Sequence, residues 1–223
     1  MRDRFDLLIF DWDGTLFDSI GWIVECLQQA AADCDLALPS EEAARSVIGL
    51  GLQEAMETLY PGVSRELAMR LADHYRRRFG TRAMADLGLF SGVREMLQEL
   101  KLQGFQLAVA TGKARAGLTH CLRATGMADF FHATRCADET ASKPNPSMLF
   151  EIMDELLAVP ARTLMIGDSA HDLEMARNAG VSAVAVGCGA NPLEELAVWR
   201  PLVCLGTTQE LLTLCGNDCQ TRF

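Results

Sequence analysis

The stretch LLIFDWDGTLFDS, Leu7 to Ser19, decides how this chain is read. Four apolar residues, Leu7 to Phe10, run straight into Asp11 and Asp13, and Gly14-Thr15 follows. The run does not alternate with polar residues, so it reads as a strand buried on both faces. A buried carboxylate is costly unless it is paired, hydrogen-bonded or bound to a metal. Two of them closing one buried strand call for a cation.

Three further apolar runs share this character: QLAVA (106–110), TLMI (163–166) and SAVAVG (182–187). Between them lie segments of helical period at 92–104, 145–159 and 171–180, the first and last ending in Gly104 and Gly180. Glycine just past a helical pattern is a C-terminal signal. Strands alternating with helices predict an α/β fold, a doubly wound parallel sheet. Residues 17–84 break the rhythm with four helical patterns and no convincing strand. So long a helical stretch exceeds a simple crossover. It predicts an inserted helical subdomain over 17–84, with the α/β core formed by 1–16 and 85–223 and Phe17–Ser19 as the first hinge.

The residues after each strand carry the chemistry. The first run ends in Asp11-Trp12-Asp13, the second in Thr111-Gly112, the third in Gly167-Asp168-Ser169, and Asp172 opens the next helix. Open parallel sheets bind ligands beyond the carboxyl ends of their strands. Asp11, Asp13 and Asp168 are thus expected to meet as a carboxylate cluster. One such Asp is commonly just a turn or helix cap; several together repel unless a cation sits among them. A hard divalent ion, most simply Mg2+, satisfies that need. Gly14 permits a sharp turn that splays Asp11 from Asp13, and the Trp12 to Gly14 N–H groups are expected to form an anion nest suited to phosphate. Thr111 and Gly112 would face the same anion. Lys143 sits in SKPNPSMLF, between a serine and two prolines just ahead of a helix. It is one of only three lysines, with Lys101 and Lys113, and is expected to bring a positive charge.

Bulk properties narrow the class. The chain has 223 residues, 49% hydrophobic and 22% charged, enough for a sizeable core. Its net charge of -10 disfavours nucleic acid and anionic membrane as partners, although a local cation can still recruit an anionic substrate. No apolar run is long enough to span a membrane. The eight cysteines are scattered, without a CxxC pair or zinc-ligand spacing. They read as reduced thiols packed as small hydrophobes, which points to a cytoplasmic location.

DWDGTLFDS, ATGK, SKPNP and GDSAHDLEMARNAG resemble, in order, the four motifs of the haloacid dehalogenase superfamily. The match spans essentially the whole chain, and the insert looks like that family's C1-type cap. The chain is most similar to the phosphoglycolate-phosphatase-like branch. The resemblance implies a Mg2+-dependent phosphomonoesterase acting on a small phosphorylated metabolite. It makes Asp11 the nucleophile that forms an aspartyl-phosphate, and Asp13 the general acid/base. It gives Mg2+ the Asp11 carboxylate, the Asp13 main-chain carbonyl and Asp168 as ligands, and assigns Thr111 and Lys143 to the phosphoryl oxygens. Asp172 is expected to orient Lys143 or a water on the metal. Asp13 disfavours the dehalogenase branch, which lacks an acidic residue there. A cap without lysine disfavours the phosphonate-cleaving branch. A sugar-phosphate mutase or a non-catalytic phosphate-binding module are the alternatives.

Weaker signals remain. Arg45 is a candidate contact to the distal end of a substrate, with helix-surface solvation as the competing reading. Gly49 and Gly51 in GLGL are read as a cap loop over the cleft. GCGANP (187–192) lacks the full GxGxxG spacing of a nucleotide loop, and HYRRRF (74–79) reads as a solvated helix face. His171 receives no role.

Overall fold

The apolar run that opens the chain becomes β1 (Leu7–Phe10), the inner strand of a six-stranded parallel sheet. A computed structural model describes residues 1–82 and 87–216. After β1 come α1 (Ile20–Ala32), α2 (Glu41–Ser46), α3 (Leu52–Leu59) and α4 (Arg65–Phe79). The chain then alternates through α5 (Val93–Leu102), β2 (Gln106–Thr111), α6 (Arg115–Ala124), β3 (Ala133–Cys136), α7 (Ser147–Glu155) and β4 (Thr163–Gly167). It ends with α8 (Ala170–Asn178), β5 (Ser182–Val186), α9 (Leu193–Ala197), β6 (Val203–Leu205) and α10 (Thr213–Gly216).

The strand order is β3-β2-β1-β4-β5-β6, so the chain winds outward from β1 in both directions. Leu7 pairs with Gln106 on one side and with Thr163 on the other. Successive strand side chains point to opposite faces, and both faces are covered. Leu8, Phe10, Leu107, Val109 and Ile166 pack towards Met96 and Leu97 of α5 and Leu118 of α6. Leu7, Ile9, Ala108 and Met165 pack towards Leu149 and Ile152 of α7 and Met175 of α8. This two-sided burial is why the central strands are continuously apolar. The junction between β1 and β4 is the switch point where such sheets bind ligands.

The expected strands at 7–10, 106–110, 163–166 and 182–187 are all present within a residue or so. β3 and β6 are additional. Both are edge strands, and β3 reads ATRC with only its end residues buried, so neither has a two-sided apolar signature. The helix expected over 145–159 is shorter: it stops at Glu155, and Leu157 turns to φ 54. Gly104 and Gly180, with φ of 87 and 68, end α5 and α8 as expected.

Helices α1 to α4 form a layer with its own apolar centre, including Ile23, Leu27, Ala44, Met56 and Leu71. Phe17 belongs instead to the sheet's core, stacked on Trp12 with ring centroids 5.6 Å apart. The two connections run side by side: Asp18 N donates to Gly88 O at 2.8 Å, and Phe90 N donates to Leu16 O at 3.0 Å. The expected boundary at 84–85 lies outside the described residues. Cys26, Cys34, Cys121, Cys136, Cys188 and Cys204 are unbridged thiols; Cys219 lies outside the described residues. No helix among the described residues is long and apolar enough to cross a membrane.

The helical layer seats its Gly49-Leu50 backbone directly on Gly112 of the core. A Cβ at Gly112 would fall against the carbonyl oxygens of Leu50 and Gly49. Gly112→Ala is therefore expected to lift this loop, raising amide hydrogen exchange at 47–52 while leaving exchange in β1 and β4 unchanged. Unchanged exchange at 47–52 contradicts the contact.

Candidate active site

Residues far apart in sequence converge where β1, β2 and β4 end. Asp11 follows β1, Thr111 ends β2, Asp168 follows β4, and Asp172 lies in the first turn of α8. Lys143 enters from the loop before α7, through a cis peptide to Pro144. Asp11, Asp168, Asp172 and Lys143 are each at most 2% exposed.

Lys143 Nζ is 2.7 Å from Asp11 Oδ1 and 2.7 Å from Asp172 Oδ1. Asp172 is held in turn by a capping box: its Oδ2 accepts from Ser169 N at 3.1 Å and Ser169 Oγ at 2.7 Å. Such boxes satisfy the open N–H groups of a helix start, and here the box also fixes the lysine's partner. Asp168 Oδ1 accepts from Thr15 Oγ1 at 2.6 Å, and its Oδ2 from Ala190 N at 2.7 Å.

Asp11, Asp168 and Asp172 each offer a carboxylate oxygen, all within 4.8 Å of one another. Three carboxylates against one lysine would leave two uncompensated negative charges with all three ionised. Burial raises the Asp11 pKa well above the usual carboxylate range; Lys143 opposes that rise, while Asp172 and Asp168 add to it. Burial, with Asp172 beside it, pushes Asp168 up to about 7. Asp11 Oδ1 is held only by the Lys143 ammonium, at 2.7 Å. Hard oxygen donors gathered in one buried cluster, with more carboxylates than cations among them, fit a divalent cation.

Asp13 lies apart from this cluster, although the sequence suggested that its carboxylate would join Asp11 and Asp168. Its oxygens accept from Ser19 Oγ at 2.7 Å and from Lys113 Nζ at 2.9 and 2.7 Å. Gly14, at φ 82, makes the turn that parts the two carboxylates. The expected nest is smaller than Trp12 to Gly14, because Gly14 N donates to Phe17 O at 2.9 Å. Lys113 Nζ also lies 4.6 Å from the centre of the Phe79 ring of α4, joining the core to the helical layer.

The helical layer overhangs the site and borders a solvent-open cavity of about 600 Å³, whose lining includes Asp11, Asp13, Thr111, Gly112 and Lys113. Gly49 and Gly51 line it too, and Gly51 N donates to Ser142 Oγ at 2.7 Å. Arg45 is not among the lining residues: it bonds Glu41 at 3.0 Å and Gly189 O at 3.2 Å, tying α2 to the loop after β5. His171 Nε2 lies 2.9 Å from Ser46 O, a second tie.

Sequence reasoning did not single out Thr15, Ser19, Lys113 or Ser169 for roles. Lys113 had a signal: it is one of three lysines and follows Thr111 by two residues. The others support a carboxylate from one hydroxyl, a role that any serine or threonine in a turn could fill.

Lys143→Met should destabilise the metal-free protein by about 3–5 kcal/mol in urea denaturation, because Asp11 and Asp172 lose their buried counter-charge. A loss below about 1 kcal/mol contradicts that account.

Residues 8–186 match the family model described as haloacid dehalogenase-like hydrolase. A Dickeya dadantii protein named Probable phosphatase IndB is 37% identical over 92% of this chain and 91% of its own. A phosphoglycolate phosphatase of Vibrio vulnificus is 31% identical, covering 90% and 91%. The tyrosine-protein kinase PtkA of Mycobacterium tuberculosis is 32% identical over 82% of this chain, which spans 62% of that protein. A solved haloacid dehalogenase-like hydrolase from Bacteroides fragilis superposes with a TM-score of 0.86 at 26% identity, over 93% of this chain and 100% of its own. The chain belongs to the haloacid dehalogenase-like hydrolase family.

Proposed function

We propose that the chain is a Mg2+-dependent phosphomonoesterase that hydrolyses a small phosphorylated metabolite through an aspartyl-phosphate on Asp11. The observation that carries this reading is the Asp11 carboxylate: buried, lining the cavity, held at 2.7 Å by Lys143 and clustered with Asp168 and Asp172. The phosphatases among its relatives support the same reaction class. Residues 17–84 would act as a cap, and the unbridged cysteines fit a cytoplasmic setting.

In the first step an Asp11 carboxylate oxygen attacks phosphorus, and the bond from phosphorus to the leaving oxygen breaks. Asp13, oriented by Ser19 and Lys113, gives that oxygen its proton. In the second step Asp13 takes a proton from water as the water oxygen attacks phosphorus. The Asp11–phosphorus bond then breaks, releasing phosphate. Lys143 and Thr111 supply a charge and a hydroxyl to the phosphoryl oxygens. Mg2+, held by Asp11, Asp168 and the Asp13 main-chain carbonyl, would neutralise charge gathering on the transferring group. Asp172 keeps Lys143 in place. Among described cap residues lining the cavity, the one Lys or Arg is Arg76, paired with Asp73 at 2.9 Å. A second phosphate, as a mutase requires, would find little support there.

Asp11→Asn should lower kcat on p-nitrophenyl phosphate by about a thousandfold or more while the circular dichroism spectrum is retained. A folded variant with near-normal turnover sinks the nucleophile assignment.

Metal binding carries a pH signature. Asp168 is raised from 3.8 to about 7, so its contribution to stability is present below pH 3.8 and lost as pH rises through about 7. Asp11 is displaced in the same direction. A divalent ion competes with those protons, so the rise in Tm on adding Mg2+ should be larger at pH 8 than at pH 6 in thermal scans. An increment that shrinks with pH, or no increment at all, contradicts the proposed metal site.

A further inference from the structure

We propose that the chamber above Asp11 selects phosphomonoesters whose alcohol portion is an uncharged, apolar body of several carbons, and rejects alcohols that carry a carboxylate. The inference rests on the phosphatase reading and names its substrate class.

Size is the first ground. A cavity of about 600 Å³ suits a ligand much larger than a phosphorylated two-carbon acid. Composition is the second. Ile23 and Leu27 of α1, Ile48 and Leu50 of the loop before α3, Phe79 of α4 and Cys121 of α6 all line it. Apolar surface from both the helical layer and the core thus surrounds the space that the leaving group must occupy.

Charge is the third and sharpest ground. Asp11, Asp13, Glu54 and Asp138 line the cavity, against Lys113, Arg76 and the imidazole of His120. Neither cation is idle. Lys113 holds both Asp13 oxygens and sits against the Phe79 ring; Arg76 is paired with Asp73, its side chain 59% exposed. Lys143 is already committed to Asp11 and Asp172. A leaving-group carboxylate would be stripped of water and meet several like charges, and among the described lining residues it would find only Lys113, held by Asp13, the solvent-exposed Arg76, and His120 to receive it. An alkyl or aryl body meets no such penalty and gains from burial. Tyr75 also lines the chamber, where burial and the charge of Asp13 raise its pKa and keep the phenol a neutral hydrogen-bond donor for one hydroxyl or ether oxygen.

Non-hydrolysable phosphonates separate this preference from turnover. Ethyl-, butyl- and hexylphosphonate and 3-phosphonopropionate, an isostere of phosphoglycolate, can be titrated into the full chain with Mg2+ by calorimetry. Kd should fall about three- to fourfold for each added methylene. 3-Phosphonopropionate should bind about tenfold or more weakly than butylphosphonate. Ala116, an exposed lining residue on α6, gives a second test: Ala116→Phe should shrink the hexyl-to-ethyl affinity ratio at least about fivefold as the chamber narrows. A flat alkyl series overturns the inference, as does 3-phosphonopropionate binding as tightly as butylphosphonate, or a ratio untouched by Ala116→Phe. Turnover of p-nitrophenyl phosphate in the same preparation tests the phosphatase reading separately. If that turnover is absent while the alkyl series holds, hydrolysis is refuted and the chamber's preference stands.

Discussion

The buried contact of Lys143 with Asp11 and Asp172 is the constraint around which the site is organised. An ammonium at 2% exposure is sustained only by nearby negative charge, and these two carboxylates supply it at 2.7 Å each. Each partner is fixed by a different element. Asp11 is carried by the central strand, whose neighbours on both sides set its height in the sheet. Asp172 is clamped by Ser169 at the start of α8. Three segments, the first more than a hundred residues before the other two, are thereby locked together, and the remaining charge imbalance makes the cluster receptive to a divalent cation.

A second ion pair, Asp13 with Lys113, governs the other side of the cleft. Gly14 sends the chain round so that two carboxylates from one strand end face different partners. Lys113 reaches beyond the sheet to Phe79, placing the candidate acid/base where core and helical layer meet. That layer enters and leaves through adjacent connections at 16–18 and 88–90, and touches the core again through Gly49, Gly51, Arg45 and His171. Groups that would handle phosphate belong to the core, whereas much of the chamber wall belongs to the insert. The proposed reaction and the proposed selectivity would then be physically partitioned.

Much of this arrangement is legible in the sequence. The central strands announced themselves because two-sided burial leaves no room for polar residues. Asp11, Asp168 and Lys143 could be anticipated because costly charges stood beside apolar runs or in a proline-framed loop. Edge strands β3 and β6 escaped notice, since one open edge and partial burial impose no distinctive pattern. Arg45 shows the limit at the single-residue scale: an arginine on a short helix can turn to substrate, solvent or a neighbouring loop, and it turned to Gly189 O.

The sequence by itself determined the parallel α/β core, the helical insert and the polar groups delivered to the strand ends, because these follow from local periodicity and from the expense of burying charge. Only the tertiary structure decided which charges pair. It placed Asp172 in the three-carboxylate cluster and Asp13 outside it, gave Lys113 to Asp13, and brought apolar side chains of the helical layer over the cleft. Electrostatic pairing acts over a few ångströms between residues a hundred positions or more apart in the chain. Distances of that kind exist only once the chain has folded.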